Sequence, residues 1–354
     1  MEGFHAPMPP ARTGVADYAA HLQASLRAGG SSDRLPVNLY HLGNNQLHAE
    51  IYRRALRQPG VVVLHDAVLQ HFALGYFGQE EYTAEFVYNY GEWSRDLARE
   101  LWTQRARSAG DSRYFEYPML RRICETARAV IVHNPAAARL VLAHARKAVV
   151  HEIPHLVFPS PRPPEADIME ARRGLGVRPL ELLCGVFGHL REAKRLRSVI
   201  EACGQAGVKL LVAGALPSDL RKSLGTLLNQ PFIVRREYAP VDEYRMLTHA
   251  VDICANLRYP TAGETSGISV TLMAAGKAVM VTDSLENSRY PESACVRILP
   301  GLAERTHLAT ALDWLRQWPE HGRAVGSRAA EYVHREHSPA RVAEMYWKVL
   351  RAAA

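Results

Sequence analysis

Short apolar runs alternate with longer stretches of helical period along the whole chain. In the first half, three such runs predict strands at 61–64, 129–132 and 148–153. Each run ends in polar residues, among them His65 and His133. Parallel strands are buried on both faces, so they read as continuous apolar segments with helices between them. The pattern therefore predicts an α/β fold of βα units around parallel sheets.

The second half repeats this pattern with six apolar runs. The predicted strands are 180–187, 209–212, 232–234, 253–255, 278–282 and 296–299. Six strands separated by helices suffice for one doubly wound domain, in which ligands bind at the carboxyl ends of the strands near the reversal of strand order. Asn134 and Ser338, each followed by proline, are predicted N-caps of helices.

Four prolines in the segment 158–164 mark a boundary between the halves, because such a segment forms neither a helix nor an inner strand. The predicted divisions are a domain at 1–157, a second domain at 158–336 and a C-terminal helical segment at 337–354. The stretch 1–6 is short and poorly apolar for a buried strand. The numbered start is therefore expected to be a trimmed or misassigned one.

Composition narrows the class of protein. The chain of 354 residues is 47% hydrophobic and 22% charged, which is typical of folded proteins. Its five cysteines form no CxxC pair, so neither a zinc site nor a disulfide framework is predicted. No apolar run approaches the roughly 18 residues that cross a bilayer, and the start lacks the layout of a signal peptide. We therefore expect a cytoplasmic protein with at most peripheral membrane contact.

The net charge of +7 lies mostly in the second half, where 25 basic residues from position 168 onward face 19 acidic ones. This excess fits either a pocket for an anionic ligand or a generally basic surface. The basic residues are not interleaved with aromatic ones, which disfavours a nucleic-acid partner.

The segment 258–267, with the sequence RYPTAGETSG, is a loop that leads into a predicted helix at 268–275. Its glycines allow a ligand to approach the backbone, and the amides of Thr265, Ser266 and Gly267 at the helix start suit a diphosphate. Glu264 would accept hydrogen bonds from sugar hydroxyls. In the alternative interpretation, Glu264 and Thr265 only complement the helix dipole.

A second strand-to-helix turn, at 188–195, combines Gly188 with Lys194 and Arg195. These cations could neutralise the charge of a departing diphosphate. The alternative is that they lie on a solvated helix face.

The N-terminal half offers weaker candidates. Gly14 lies in a turn that feeds a helix, and His65 follows a strand. Most of the 16 histidines must be structural, and His133 and His155 are weaker candidates than His65. The chain lacks GxGxxG, GxxxxGK[ST] and GxSxG motifs, so a nicotinamide or flavin enzyme, a P-loop and a hydrolase elbow are not indicated.

Four segments, in this order, resemble the retaining glycosyltransferases of family four. They are PPARTGVADYA at 9–19, YHLGNNQLHAEIYRRALRQPGVVVLHD at 40–66, FGHLREAKR at 187–195 and RYPTAGETSG at 258–267. The resemblance implies the GT-B architecture, with two Rossmann-like parallel-sheet domains facing across a cleft. It also implies that the last helix, 340–351, packs back on the N-terminal domain.

The resemblance implies transfer of a hexose from a nucleoside diphosphate sugar, UDP or GDP, to a hydroxyl acceptor. The implied catalytic residues are Glu264, His65 and Lys194. The implied donor-binding residues are Gly14, Gly188, Lys194, Arg195, Glu264, Thr265, Ser266, Gly267 and Ile268. No permanent cofactor and no metal is required, because cations and helix starts stabilise the leaving group.

Two positions depart from the family pattern. Leu272 stands where a second glutamate usually binds the nucleotide ribose, and His189 stands where an arginine usually follows the glycine of the basic turn. These departures leave the nucleotide open, and the acceptor could be a glycan, a lipid-linked sugar or a small metabolite. The rival functions are a nucleotide-sugar epimerase or phosphorylase of the same architecture and a non-catalytic nucleotide-sugar-binding protein.

Overall fold

The computed structural model describes residues 1–11, 13–30, 33–158, 160–237 and 240–354, so Arg12 and Pro159 of the segments above lie outside the description. The chain forms an α/β structure with one parallel sheet of five strands and one of six, which confirms the predicted fold class. Contacts group it into two compact units. Unit 1 is Met1–Phe158, Pro260–Thr265 and Glu336–Ala354, and unit 2 is Pro159–Tyr259 and Ser266–Arg335.

The sheet of unit 1 has the strand order β1-β2-β3-β4-β5. Its strands are β1 (Glu2–His5), β2 (Arg34–Leu42), β3 (Val61–Leu64), β4 (Ala129–Val132) and β5 (Val150–Glu152). The central strands β3 and β4 are fully buried runs of aliphatic residues. β1 forms at an edge of this sheet, where a strand need not be apolar on both faces. Its location explains why residues 1–6 are so weakly apolar.

Eight α-helices lie within the described residues up to position 158. They are α1 (Gly14–Gly29), α2 (Ala49–Arg57), α3 (Gln70–Tyr76), α4 (Gln79–Tyr90), α5 (Arg95–Gln104), α6 (Arg113–Glu116), α7 (Arg121–Thr126) and α8 (Pro135–His144). The predicted cap of α8 is present, because Asn134 Oδ1 accepts a hydrogen bond from the Ala137 amide. α4 and α5 pack on each other around Tyr82, Phe86 and Leu101, in a separate small core.

The sheet of unit 2 contains all six predicted strands, in the order β8-β7-β6-β9-β10-β11. They are β6 (Leu183–Phe187), β7 (Lys209–Ala213), β8 (Ile233–Arg236), β9 (Ile253–Asn256), β10 (Ala278–Thr282) and β11 (Val296–Ile298). The chain builds outward from β6 to β8 and then returns to place β9 on the other side of β6. The strand order therefore reverses between β6 and β9.

Within the described residues, seven α-helices lie between positions 160 and 336. They are α9 (Glu165–Gly174), α10 (Leu196–Ala206), α11 (Ser218–Leu224), α12 (Val241–Ala250), α13 (Gly267–Ala274), α14 (Glu304–Gln317) and α15 (Pro319–Glu336). α10 and α14 pack side by side on a core that includes Val199, Ile200, Leu308 and Leu312.

The last helix, α16 (Pro339–Ala352), packs on α1 within unit 1. The hydroxyl groups of Tyr18 and Tyr346 form a hydrogen bond of 2.9 Å, and both side chains are fully buried. Trp347 Nε1 donates to the carbonyl of Leu26 at 3.2 Å. Ser338 occupies the N-cap position of α16, as predicted, but its side chain makes no capping hydrogen bond.

The five cysteines are free and buried. Burial raises the pKa of the Cys124 thiol to about 12 and holds the pKa of Cys254 well above its usual range. None of the helices in the described ranges is both long enough and apolar enough to cross a membrane.

The Tyr18 and Tyr346 hydroxyls should be energetically coupled. Tyr18→Phe or Tyr346→Phe leaves the other hydroxyl buried without this partner, at a cost of about 1–3 kcal/mol. The double variant removes both polar groups and should cost less than the sum of the single changes. Urea unfolding followed by tryptophan fluorescence measures the cycle. Additive costs would show that the two hydroxyls do not stabilise each other.

Candidate functional site

The reversal of strand order between β6 and β9 places two loops side by side at the carboxyl edge of the second sheet. β6 and β9 pair in parallel, with Cys184 opposite Ile253 and Gly185 opposite Cys254. β6 runs into the turn 188–195, and β9 runs into the loop before α13. In open parallel sheets this is the position at which ligands bind.

Lys194 is the buried cation of this edge, since only 5% of its side chain is exposed. Its ammonium donates hydrogen bonds to the carbonyl of Phe187 at 2.6 Å and to Oδ1 of Asn256 at 3.1 Å. Taking an ammonium out of water is costly unless hydrogen bonds compensate. Because Lys194 is buried, the alternative interpretation, in which it is a cation on a solvated helix face, is wrong.

Gly188 brings the end of β6 against the start of α13. Its φ of +88° lies in the region that favours glycine. A Cβ at this position would stand 2.4 Å from Cδ1 of Ile268 and 3.8 Å from Nζ of Lys194. The absence of a side chain at Gly188 therefore allows Ile268, in the first turn of α13, to pack against the end of β6.

The helix α13 begins at Gly267, one residue before its predicted start. Ser266 is its N-cap, and Oγ of Ser266 accepts a hydrogen bond from the Ser269 amide at 3.3 Å. The amides of the first helical turn, including those of Gly267 and Ile268, have no acceptor within the helix and point toward its N-terminal end. Such amides favour an anion at this end.

Arg195 follows Lys194 in a left-handed conformation, with φ of +57°. Its Nε donates to the carboxylate of Glu304, at 2.9 Å to Oε1 and 3.2 Å to Oε2, and Glu304 is 2% exposed. This ion pair ties the basic turn to the start of α14. The ion pair holds the turn 188–195 in place, and it occupies the Arg195 guanidinium with the Glu304 carboxylate.

The two departures from the family pattern have different surroundings. His189 is exposed, whereas the side chain of Leu272 is fully buried. A buried leucine offers no polar atom to a ribose.

The segment 260–265, which carries Glu264, packs within unit 1. The Ala67 amide donates to the carbonyl of Ala262 at 2.8 Å. Nδ2 of Asn134 donates to the carbonyl of Gly263 at 2.9 Å and to Oγ1 of Thr265 at 3.0 Å. Ala67 and Asn134 follow β3 and β4, so this segment lies at the carboxyl edge of the first sheet.

Glu264 is oriented by its own loop. Its Oε2 accepts hydrogen bonds from the Ala262 amide at 2.8 Å and from Oγ1 of Thr261 at 3.2 Å. Gly263 allows this tight loop, because its φ is +70° and a Cβ would stand 2.8 Å from Cβ of Ala67. The carboxylate is thus held by the backbone that docks on the first sheet.

His65 belongs to a buried histidine cluster at the same edge of the first sheet. We define this cluster as His41, His65, His133 and His155, whose rings surround that of Tyr18 with centroid distances of 4.8 to 6.1 Å. Nε2 of His65 lies 3.0 Å from Nδ1 of His41, at hydrogen-bonding distance. Nδ1 of His133 lies 2.9 Å from the carbonyl of Ile153.

Burial lowers the pKa of every member of the histidine cluster. The pKa of His133 falls to about 4, and those of His41, His65 and His155 lie well below the usual range. The cluster is therefore neutral at physiological pH. Among the described residues, no group of three or more potential ligands is arranged to hold a metal ion.

The predicted site residues thus fall into two groups. Unit 2 brings together Gly188, Lys194, Arg195, Ser266, Gly267 and Ile268 around the strand reversal. Unit 1 holds Glu264, Thr265 and His65 at the carboxyl edge of its sheet. Gly14 begins α1, where it is exposed and a Cβ would meet no atom within 4 Å.

Two asparagines stand out in the structure that the sequence did not single out for the site. Asn256 contacts Lys194 and the start of α13, and Asn134 holds the segment that carries Glu264. Asn256 ends β9, and Asn134 lies two residues after the end of β4. A polar residue at that position, at the carboxyl edge of a parallel sheet, is the signal by which they could have been found.

Comparison with known proteins gives a structural match only. No protein-family model and no curated protein matches this sequence. Among solved structures, HepE of Anabaena in complex with UDP-glucose is similar over 99% of this chain and 98% of its own, with a TM-score of 0.66 and 15% identity. WaaG, a glycosyltransferase involved in lipopolysaccharide biosynthesis, is similar over 98% and 97%, with a TM-score of 0.63 and 14% identity.

A third similar structure is the sucrose-phosphate synthase of Thermosynechococcus elongatus. It is similar over 94% of this chain and 76% of its own, with a TM-score of 0.64 and 15% identity. At such low identity these similarities establish the fold alone. The chain has the GT-B fold, in agreement with the prediction from the four sequence segments.

Acidification should destabilise unit 1 through its histidine cluster. His133 has a pKa of about 4 in the folded chain and about 6.5 in the unfolded chain. Its stabilising effect is complete above pH 6.5 and is lost as the pH falls toward 4, because the unfolded chain then binds the additional proton. At pH 5 His133 alone should cost about 2 kcal/mol, and the other three members act in the same direction.

Hydrogen exchange read by mass spectrometry at pH 8 and pH 5 measures this loss, after correction for the intrinsic exchange rates. β2–β5 should lose more protection than β6–β11. Unit 1 contains the four cluster histidines with lowered pKa values, whereas His249 is the one histidine with a lowered pKa in the described part of unit 2. His133→Gln should flatten the pH dependence of unit 1. Equal loss in both sheets, or no loss, would contradict this origin.

Proposed function

We propose that this chain is a retaining glycosyltransferase that moves a hexose from a nucleoside diphosphate sugar to a hydroxyl acceptor. The observation that carries the proposal is the hydrogen-bonded link between the Lys194 ammonium and the start of α13, made through Asn256 at the strand reversal. A cation and a set of helix amides held together at this position are suited to a diphosphate.

The donor is proposed to be a UDP sugar, with a GDP sugar as the alternative. HepE, which shares the fold over nearly the whole chain, is found in complex with UDP-glucose, and other structures of HepE contain UDP alone or UDP with glucose. The buried Leu272 takes no part in recognising the ribose, so other groups must supply those hydrogen bonds. The acceptor is proposed to be a hydroxyl of a glycan, a lipid-linked sugar or a small metabolite.

In the proposed reaction, the bond between the anomeric carbon and the diphosphate oxygen breaks while the acceptor oxygen bonds to the same face of that carbon. The acceptor hydroxyl gives its proton to an oxygen of the departing diphosphate. Lys194 and the amides of Gly267 and Ile268 stabilise the negative charge that develops there. The chain's residues thus act by positioning and charge stabilisation.

Glu264 is proposed to hold the donor sugar. An ionised carboxylate accepts strong hydrogen bonds from hydroxyl groups, and the Ala262 amide and the Thr261 hydroxyl fix its direction. His65 is proposed to lie beside the sugar, where its neutral imidazole can donate or accept a hydrogen bond. We propose that Arg195, paired with Glu304, mainly fixes the turn that presents Lys194.

A panel of UDP, GDP, ADP, dTDP and CDP sugars tests the donor. A ligand at about one hundred times its dissociation constant should stabilise the folded chain by about 2.7 kcal/mol, which a thermal shift detects. The stabilising donor is then incubated with and without candidate acceptors while nucleotide release is measured. Conversion of the donor sugar without an acceptor would indicate an epimerase, and stabilisation by no member of the panel would contradict nucleotide-sugar binding.

Lys194→Ala and Glu264→Ala should each lower turnover about a hundredfold or more, because each removes a group that acts on the transition state. Lys222→Ala in unit 2 and Glu116→Ala in unit 1 are matched controls, since both residues are exposed. The controls should retain wild-type turnover, and circular dichroism should show that all four variants are folded. Unchanged turnover in Lys194→Ala or Glu264→Ala would remove that residue from the site.

A further inference from the structure

Asn256, the last residue of β9, makes three side-chain hydrogen bonds at the strand reversal. Its side chain is 4% exposed. Oδ1 accepts from Nζ of Lys194 at 3.1 Å, and Nδ2 donates to Oγ of Ser266 at 2.7 Å and to Oγ of Ser269 at 2.6 Å. One amide therefore connects the basic turn after β6 with the first turn of α13.

The orientation of this amide is fixed by chemistry. An ammonium has three donors and no acceptor, so the oxygen of Asn256 must face Lys194. The amide nitrogen must then face the two serine hydroxyls, which can accept. Ser266 Oγ also receives the Ser269 amide as the N-cap of α13 and lies 3.3 Å from Nη2 of Arg258. A rotation of the Asn256 amide would place its nitrogen, a donor, against the Lys194 ammonium and would break that bond.

The neutral charge of Asn256 is as informative as its geometry. An asparagine oxygen can hold an ammonium in place without cancelling its charge. A carboxylate at this position would form an ion pair with Lys194 and would repel an anion at the start of α13. The second acceptor of Lys194, the carbonyl of Phe187, is also neutral.

We propose that Asn256 is a positioning residue for the diphosphate, which fixes the Lys194 ammonium beside the N-terminus of α13 without bringing a negative charge of its own to that position. This inference rests on the proposed function, because it assumes that a diphosphate binds there. Asn256 acts through Lys194, Ser266 and Ser269 and need not touch the ligand itself.

Asn256→Asp is the decisive variant, because it separates charge from packing. The carboxylate keeps an acceptor toward Lys194, and the hydroxyls of Ser266 and Ser269 can donate to it, so the variant should melt close to the wild type. Its affinity for a nucleoside diphosphate should nevertheless fall at least about tenfold. Affinity for the matching nucleoside, which carries no phosphate, should be unchanged.

The measurement is isothermal titration of the full chain with UDP, GDP, ADP, dTDP and CDP, and then of the best binder against its nucleoside. Asn229→Asp is the matched control, because it makes the same change of charge at an exposed position of unit 2. It should bind the diphosphate as the wild type does. Asn256→Ala, in which both ends of the link are lost, should weaken diphosphate binding even if it also lowers the melting temperature.

The outcomes distinguish this inference from the proposed function. If Lys194→Ala loses diphosphate affinity while Asn256→Asp binds like the wild type, the positioning role is wrong and the proposed function stands. If Asn256→Asp weakens nucleoside and diphosphate binding equally, Asn256 is only structural, which also overturns the inference. If the wild type binds none of the five nucleoside diphosphates, both proposals fail.

Discussion

The burial of one ammonium group determines much of the second unit. Lys194 is buried at the point where the strand order reverses. Hydrogen bonds to the Phe187 carbonyl and to Oδ1 of Asn256 compensate for the lost hydration of its ammonium. Asn256 lies within reach of Lys194 because β6 and β9 are neighbours. The glycine at 188 and the ion pair between Arg195 and Glu304 then hold the turn in the shape that presents the amine.

The first unit meets a different requirement at the carboxyl edge of its own sheet. The segment 260–265 supplies carbonyl groups to the Ala67 amide and the Asn134 side chain. These polar groups, which follow β3 and β4, are therefore hydrogen-bonded. Beside it, four imidazoles pack around Tyr18 as neutral aromatic rings. The same edge thus combines a carboxylate held by its own loop, Glu264, with a cluster kept uncharged by burial.

Local patterns explain which parts the sequence could predict. The six strands of the second sheet and the glycine and lysine of the 188–195 turn are visible because their signals lie within a few adjacent residues. β2 was not predicted, since Pro36 and Asn38 interrupt its apolar pattern. The link through Asn256 depends on pairing between strands almost 70 residues apart. The docking of 260–265 on unit 1 depends on still more distant contacts, such as that between Asn134 and Gly263, which are 129 residues apart. The predicted division into the contiguous domains 1–157 and 158–336 therefore stays a prediction. The contacts in the structure group residues 260–265 with unit 1.

The distribution of the buried cysteines gives the chain an intrinsic reporter of local opening. Cys124 is in unit 1, whereas Cys184, Cys203, Cys254 and Cys295 are in unit 2. Only an exposed thiolate can attack an alkylating reagent, so burial protects each cysteine until its surroundings unfold. The cysteine that is alkylated first therefore tells which of the two units opens more easily, without any engineered label.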